Sequence, residues 1–247
     1  MDNGRATVIS TVDQLIPFDP GSLSTAAPSG KGGPPGGNWT PTFSDDFESL
    51  DTAKWKVFDN DTWGKILSGR FKDNVAVADG KLRLVTKKEF KGGKEWTTGM
   101  VMSKTFRQKG GYYEARYKFA PVPGLNQAFW LKAVGVQGAP LFEIDIIEGH
   151  YPNFVNMSLH DGVAASKTHA PRVDLSSDYH VYGLEWTARE LIYYFDGQVV
   201  DRKPVDSDAP ECAVFLSTAV ANWAGPVTKH LDGSAMLIDW VRVYRRQ

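Results

Sequence analysis

The chain has 247 residues, enough for one large domain with a sizeable core, since all-β sandwiches and barrels commonly reach this size. Lys and Arg total 28 against 29 Asp and Glu, a net charge of −1, which gives no electrostatic reason to expect nucleic acid or an anionic membrane as partner. No apolar run approaches the ~20 residues of a membrane span, and a lone cysteine, Cys212, excludes an intrachain disulfide.

The opening MDNGRATVISTVDQLIPF has no basic stretch leading into a continuous apolar one, so no signal peptide is read there. Residues 19–41 are rich in Gly, Pro and Ser and cannot form a periodic element. Residues 1–38 are therefore expected to be a tail or linker, followed by a single domain over 39–247. Regular structure is expected from about Phe43. NVAVADGKLRLVTKK reads as a hairpin: Val75 and Val77 share a face, Asp79-Gly80 supply a type I′ turn, and Leu82 and Leu84 return. GYYEARYKFAP, NQAFWLKAV, NFVNMSLH and DYHVYGLEW read as further strands. ELIYYFDGQVVDRK then repeats the hairpin device with Asp196-Gly197, and AVFLSTAV and AMLIDWVRVY complete the series. Cys212 opens an apolar run and reads as a buried, inert thiol. There is no internal repeat and no long amphipathic helix. Many short strands with aromatics at alternating positions predict two packed antiparallel sheets, an all-β fold.

Residues 142–150, FEIDIIEGH, break the alternation. Glu143 and Asp145 share a face by period two, whereas Glu148 points the other way unless one extra residue is absorbed. A β-bulge absorbs it, with Ile147 as the spare position. Glu143 and Glu148 then behave as an i, i+4 pair with Cα atoms ~13 Å apart. Inward-leaning side chains bring their carboxyls to about 5 Å, the separation of retaining rather than inverting glycosidases. Three carboxylates on one face cannot all ionise cheaply, so at least one pKa must rise. That asymmetry is what a nucleophile and acid pair needs. On these residues alone, an exposed acidic strand face and a Ca²⁺ or Mg²⁺ site remain open as well.

EIDIIE resembles the E-x-D-x-x-E signature of glycoside hydrolase family 16, in the subgroup with a bulged catalytic strand. The likeness continues in order through FSDDFESLDTAKW, NVAVADGKLRL, TTGMVMSKTFRQKGGYYEARYKFAP, QAFWL, YHVYGLEWTARELIYYFDGQVV and MLIDWVRVY, over roughly residues 42–246. The resemblance implies a β-jelly roll, a sandwich of two curved antiparallel sheets with a concave substrate cleft. It implies endo-hydrolysis with retention, in which Glu143 is the nucleophile, Glu148 the acid and base, and Asp145 the assistant of Glu143. No cofactor is implied for catalysis. A structural Ca²⁺ is implied at the Gly80 carbonyl, the Asp239 side chain and a group near Asp46.

The same resemblance, with the local sequence, makes Trp130, His160, Asn74, Arg70, Trp96 and Trp223 candidates for substrate binding. Trp186 and Trp240 lie within regular strand patterns and read as core. β-1,3-Glucanases of the family place W-P-x-x-G-E before the signature; here that segment is GVQGAPLFE. The substrate expected first is β-1,3- or mixed β-1,3/1,4-glucan. A red-algal galactan (agarase, porphyranase or carrageenase type), transglycosylation and non-catalytic carbohydrate binding stand as alternatives. A sulfated galactan would want basic residues in the cleft, for which Lys65, Arg70, Lys72 and Lys132 are available. The expected partner is polysaccharide, with no nucleic acid and no membrane. A monomer is expected, secreted or at the cell surface.

Overall fold

The computed structural model describes residues 32–135, 141–162, 165–171, 173–206 and 208–247. Most of the expected tail, and residues 136–140 of GVQGAPLFE, lie outside the described residues. Strands, numbered β1 to β17 in chain order, dominate the regular structure.

One sheet runs β15 (Gln198–Pro204), β14 (Glu190–Phe195), β13 (His180–Trp186), β8 (Gly111–Lys118), β17 (Ala235–Arg246), β5 (Lys81–Val85) and β4 (Val75–Ala78), with β1 (Trp39–Asp45) also pairing β17. The second runs β12 (Ala165–His169), β11 (Phe154–His160), β10 (Glu143–His150), β9 (Leu125–Lys132), β16 (Ala213–Val220), β7 (Met100–Ser103) and β2 (Trp55–Val57). A short parallel pair, β3 (Ser68–Arg70) and β6 (Trp96–Thr98), stands apart. Packed as two antiparallel sheets, the chain is the β-jelly roll that its sequence led us to expect. Among the described residues no helix is long and apolar enough to cross a membrane.

The turn chemistry acts as read. Asp79 and Gly80 have φ of 55° and 63°, and Asp196 and Gly197 have 47° and 79°, the left-handed pairs that a type I′ turn needs. Each closes its hairpin, β4–β5 and β14–β15. Five short strands escaped the sequence reading: β2, β3, β6, β7 and β12. Each has three to five residues, too few for periodicity to show. β1 begins at Trp39, before the expected start, because Pro41 sits at a register shift that hides its alternation.

The main core lies between the sheets. Tyr113, Tyr117, Leu184, Tyr193, Ile238 and Val243 come from the first, and Phe129, Leu131, Ile144, Met157, Val214 and Leu216 from the second. Trp186 belongs to this core and Trp240 is also buried, both as read; so is Cys212, whose thiol is pushed by burial up to about 12. Gly149 is required at its position: a Cβ there would lie 1.9 Å from the Phe119 ring, which packs directly on the β10 backbone.

Candidate active site

β10 carries the bulge. Against β9, Asp145 pairs with Trp130 and Ile147 with Phe129, so Ile146 has no partner. Against β11, Asp145 pairs with Ser158 and Glu148 with Asn156, leaving Ile146 and Ile147 together opposite one residue. On β9 the unpaired position is therefore Ile146, one residue earlier than expected. Both isoleucines are buried in the core, as neighbouring residues of a bulge can be, and Glu148 returns to the face of Glu143 and Asp145.

The strand registers lay out that face as rows. His160, Glu143, Lys132 and Ala213 form one; Ser158, Asp145, Trp130, Phe215 and Met102 the next; Asn156, Glu148, Ala128, Ser217 and Met100 the third. Beyond them β10 ends at His150, opposite Phe154. Apolar packing makes the β16–β7 side a floor: the Trp130 ring stacks on Phe215 at 4.1 Å, in a cluster with Met100 and Met102. Trp130 Nε1 donates to Ser217 Oγ at 3.0 Å, which fixes the indole in plane.

Each carboxylate has its own polar partner. Lys132 Nζ donates to Glu143 Oε2 at 2.7 Å, and Asn126 Nδ2 to Glu148 Oε1 at 2.8 Å. His160 Nε2 lies 3.0 Å from Asp145 Oδ2. Asp145 is the buried member of the three, at 5% exposure. Burial, opposed by the His160 hydrogen bond and reinforced by the charges of Glu148 and Glu143, pushes its carboxyl up to about 7. The bond to Asp145 in turn raises His160 above the ordinary imidazole value. So the pKa rise read from three crowded acids falls on the central aspartate. Ligand atoms of Glu143, Asp145 and His160 lie within 4.8 Å of one another, but an ammonium already neutralises Glu143 there.

Of the other candidates, the structure brings Trp130 and His160 to the trio. Trp223 is 59% exposed, edge-on to His150 at 5.1 Å, while His150 stacks on Phe154 at 4.8 Å. These rings make an aromatic shelf at the Glu148 end of β10, and burial lowers His150 to about 4, keeping it neutral. Two candidates are corrected. Asn74 is fully buried and donates to the Val85 carbonyl and Thr97 Oγ1, tying the hairpin to β6. Trp96 is a core residue, packed with Leu125, Val220 and Leu231 under the Lys88 ammonium. Arg70 pairs with Asp61 at 3.1 Å, not with the trio.

The groups implied for a structural Ca²⁺ do not fit one. Lys81 Nζ lies 3.2 Å from the Gly80 carbonyl oxygen and 2.8 Å from Asp239 Oδ1. Arg116 holds the other Asp239 oxygen, and Asp46 accepts from Arg242 Nη2 at 3.2 Å. All three expected ligands already face cationic side chains. Asn126, by contrast, is a site residue the sequence reading passed over. Its signal was present: on β9 it shares a face with Ala128, Trp130 and Lys132 by simple alternation.

An open sheet face with two hydrogen-bonded glutamates flanking a buried aspartate defines a two-carboxyl site of the kind glycoside cleavage requires. The sequence profile of Glycosyl hydrolases family 16 matches residues 67–242, and the chain belongs to that family. It is 31% identical over 241 residues to Endo-1,3-1,4-beta-glycanase EglC of Rhizobium meliloti (strain 1021), covering 83% of this chain and 51% of that protein. It is 29% identical over 202 residues to Kappa-carrageenase of Pseudoalteromonas carrageenovora, covering 65% and 50%. The chain thus spans about half the length of these curated relatives. In fold it is similar to the catalytic domain of an endo-1,3-beta-glucanase (laminarinase) from Thermotoga petrophila RKU-1. That match has a TM-score of 0.75 at 23% identity, over 85% of this chain and 99% of that one.

Proposed function

We propose that this domain is an endo-acting β-glucan hydrolase, cleaving β-1,3- or mixed β-1,3/1,4-glucan with retention of configuration. The observation that carries the reading is the row-by-row placement of Glu143, Asp145 and Glu148 on one open face, each with its own polar partner. Four partner positions on β9 separate the two glutamates. That is ~13 Å between backbones, which side chains leaning over Asp145 close toward the ~5 Å of a retaining pair.

In the first step a Glu143 oxygen attacks the anomeric carbon while Glu148 gives its proton to the departing glycosidic oxygen. The C–O bond breaks and a glycosyl ester forms on Glu143. In the second step Glu148 takes a proton from water, the hydroxyl oxygen attacks the same carbon, and Glu143 leaves as carboxylate. Asp145, between them and bonded to His160, keeps a proton at slightly acidic pH and so spares the cleft a third negative charge. Trp130 offers a ring face to the apolar face of a sugar beside the nucleophile, and the Trp223–His150–Phe154 shelf offers another. A polymeric substrate supports a secreted or cell-surface location.

The test is product sizing on laminarin, lichenan, agarose, porphyran and carrageenan, with Glu143→Gln and Glu148→Gln assayed alongside. The parent should release short β-glucan oligosaccharides, and each variant should lose about 10³-fold or more in kcat. No cleavage of either glucan, or a Glu143→Gln variant equal to the parent, overturns the assignment.

A further inference from the structure

We propose that Lys81 is a built-in structural cation: its ammonium supplies the positive charge at the β4–β5 turn, and the domain takes no divalent ion there. The argument begins with β17. Its register against β8 passes from Ile238–Tyr117 to Trp240–Arg116, so Asp239 is the extra residue of a bulge. A bulge re-aims its side chain. Here the carboxylate comes to lie beside the hairpin turn, where the Gly80 carbonyl oxygen and Asp239 Oδ1 converge on one atom, Lys81 Nζ.

Two converging oxygens are the beginning of a site for a hard cation. Lys81 fills it from within the chain, and Arg116 takes the remaining carboxylate oxygen. The Tyr179 ring adds a third element. Arg116 lies 4.7 Å from its centroid, Lys118 Nζ 5.4 Å and Lys81 Nζ 6.0 Å, so three cations gather around one aromatic ring. Against them stand the charge of Asp239 and, beside the Gly80 turn, that of Glu48, whose Oε1 would lie 3.8 Å from a Cβ at Gly80. An added divalent ion would enter a corner that is already net positive, and would have to displace a hydrogen-bonded ammonium to reach its oxygens. The side chains of Lys81 and Asp239 are 29% and 19% exposed, so the pair is sheltered without being sealed. The same contacts tie three strands of the first sheet together beside the turn: β5 supplies Lys81, β17 supplies Asp239 and β8 supplies Arg116.

The experiment is thermal unfolding of the domain with EDTA, with excess CaCl₂ and with MgCl₂, together with calorimetric titration of the parent with Ca²⁺. The expected result is no shift beyond about 1 °C in any condition and no binding heat, because an ion that does not bind the native state cannot stabilise it. Lys81→Met should lower Tm by roughly 3–6 °C, and the loss should shrink when Asp239→Asn is already present, since the two groups are coupled. A parent Tm that rises with Ca²⁺ or falls with EDTA, or a Lys81→Met variant as stable as the parent, overturns the proposal. None of these readings depends on which polysaccharide is cleaved.

Discussion

Deleting Ile146 isolates what the bulge does. Without that residue the strand reads Glu-x-Asp-x-Glu, and simple alternation leaves all three acids on one face. The β9 pairings Asp145–Trp130, Ile147–Phe129 and Glu148–Ala128 persist unchanged, because Ile146 has no partner among them. What is lost is a side chain 2% exposed in the core. Removing it costs about 2–4 kcal/mol, as for Ile→Ala truncations, and a restored ladder hydrogen bond returns about 1 kcal/mol. At about 2–4 °C per kcal/mol for a domain of this size, a net loss of about 2 kcal/mol lowers Tm by roughly 4–8 °C. Ile146→Ala is the control, since it removes the same burial and keeps the bulge. Activity on β-glucan should survive the deletion within about a hundredfold of Ile146→Ala, the loss that an ångström of misaimed Glu148 produces. A deletion variant that folds but is as inactive as Glu148→Gln refutes the reasoning. It would mean that regular alternation does not restore the face, and that the bulge is needed for more than register.

Four further outcomes follow from contacts around the site. The native state holds the Asp145 proton up to about 7, and His160 is raised with it, so both groups stabilise the fold at low pH and lose that stabilisation as pH rises. The Tm of the parent relative to Asp145→Asn should therefore fall between about pH 4 and 7, by at most the equivalent of about 4 kcal/mol for three units; a flat difference refutes it. Lys132→Met removes the ammonium 2.7 Å from Glu143 and should lower kcat about tenfold with little change in Tm; an unchanged kcat means the ion pair does not position the nucleophile. Trp223→Ala deletes an exposed ring and should raise KM for polymer roughly fivefold at constant Tm, whereas an unchanged KM removes the shelf from the substrate path. Gly149→Ala forces a methyl against Phe119 and should destabilise by about 1–3 kcal/mol, with Phe119→Leu restoring part of the loss in thermal melts.

Much of the fold was legible because its signals are local. Two Asp-Gly pairs mark two hairpins, and the alternation in GYYEARYK and AMLIDWVRVY marks strands long enough to count. The trio was legible for the opposite reason: EIDIIE violates period two, and a violated pattern between apolar neighbours calls for a bulge. Which isoleucine goes unpaired was not legible, since Ile146 and Ile147 are chemically identical and only the partner strand distinguishes them. Asn74 and Trp96 were misread because polarity and aromaticity are local, whereas burial depends on what a distant segment lays over them. Asn74 meets Thr97 across 23 residues of chain. The Ca²⁺ implied at Gly80 and Asp239 left Lys81 out for a related reason. A hairpin glycine and a strand aspartate suggest an ion, until the lysine between them in space is seen to occupy the position.

The catalytic face and the turn at Gly80 use the same device with different results. In both, a bulge breaks the alternation of a strand and brings a carboxylate to a position that regular pleating would deny it: Glu148 on β10, Asp239 on β17. At Asp239 two cationic side chains take both oxygens, so neither oxygen is without a charged partner. At the catalytic face the partners are rationed, one hydrogen bond to each outer glutamate, so each keeps an oxygen free for substrate. The donors also differ in kind. Glu143 receives a charged ammonium from Lys132, whereas Glu148 receives a neutral amide from Asn126. Reversing that order, with a lysine at Asn126 and an amide at Lys132, should keep the fold and abolish turnover. Retained activity in that double variant would show that the two glutamates do not have the separate roles assigned to them.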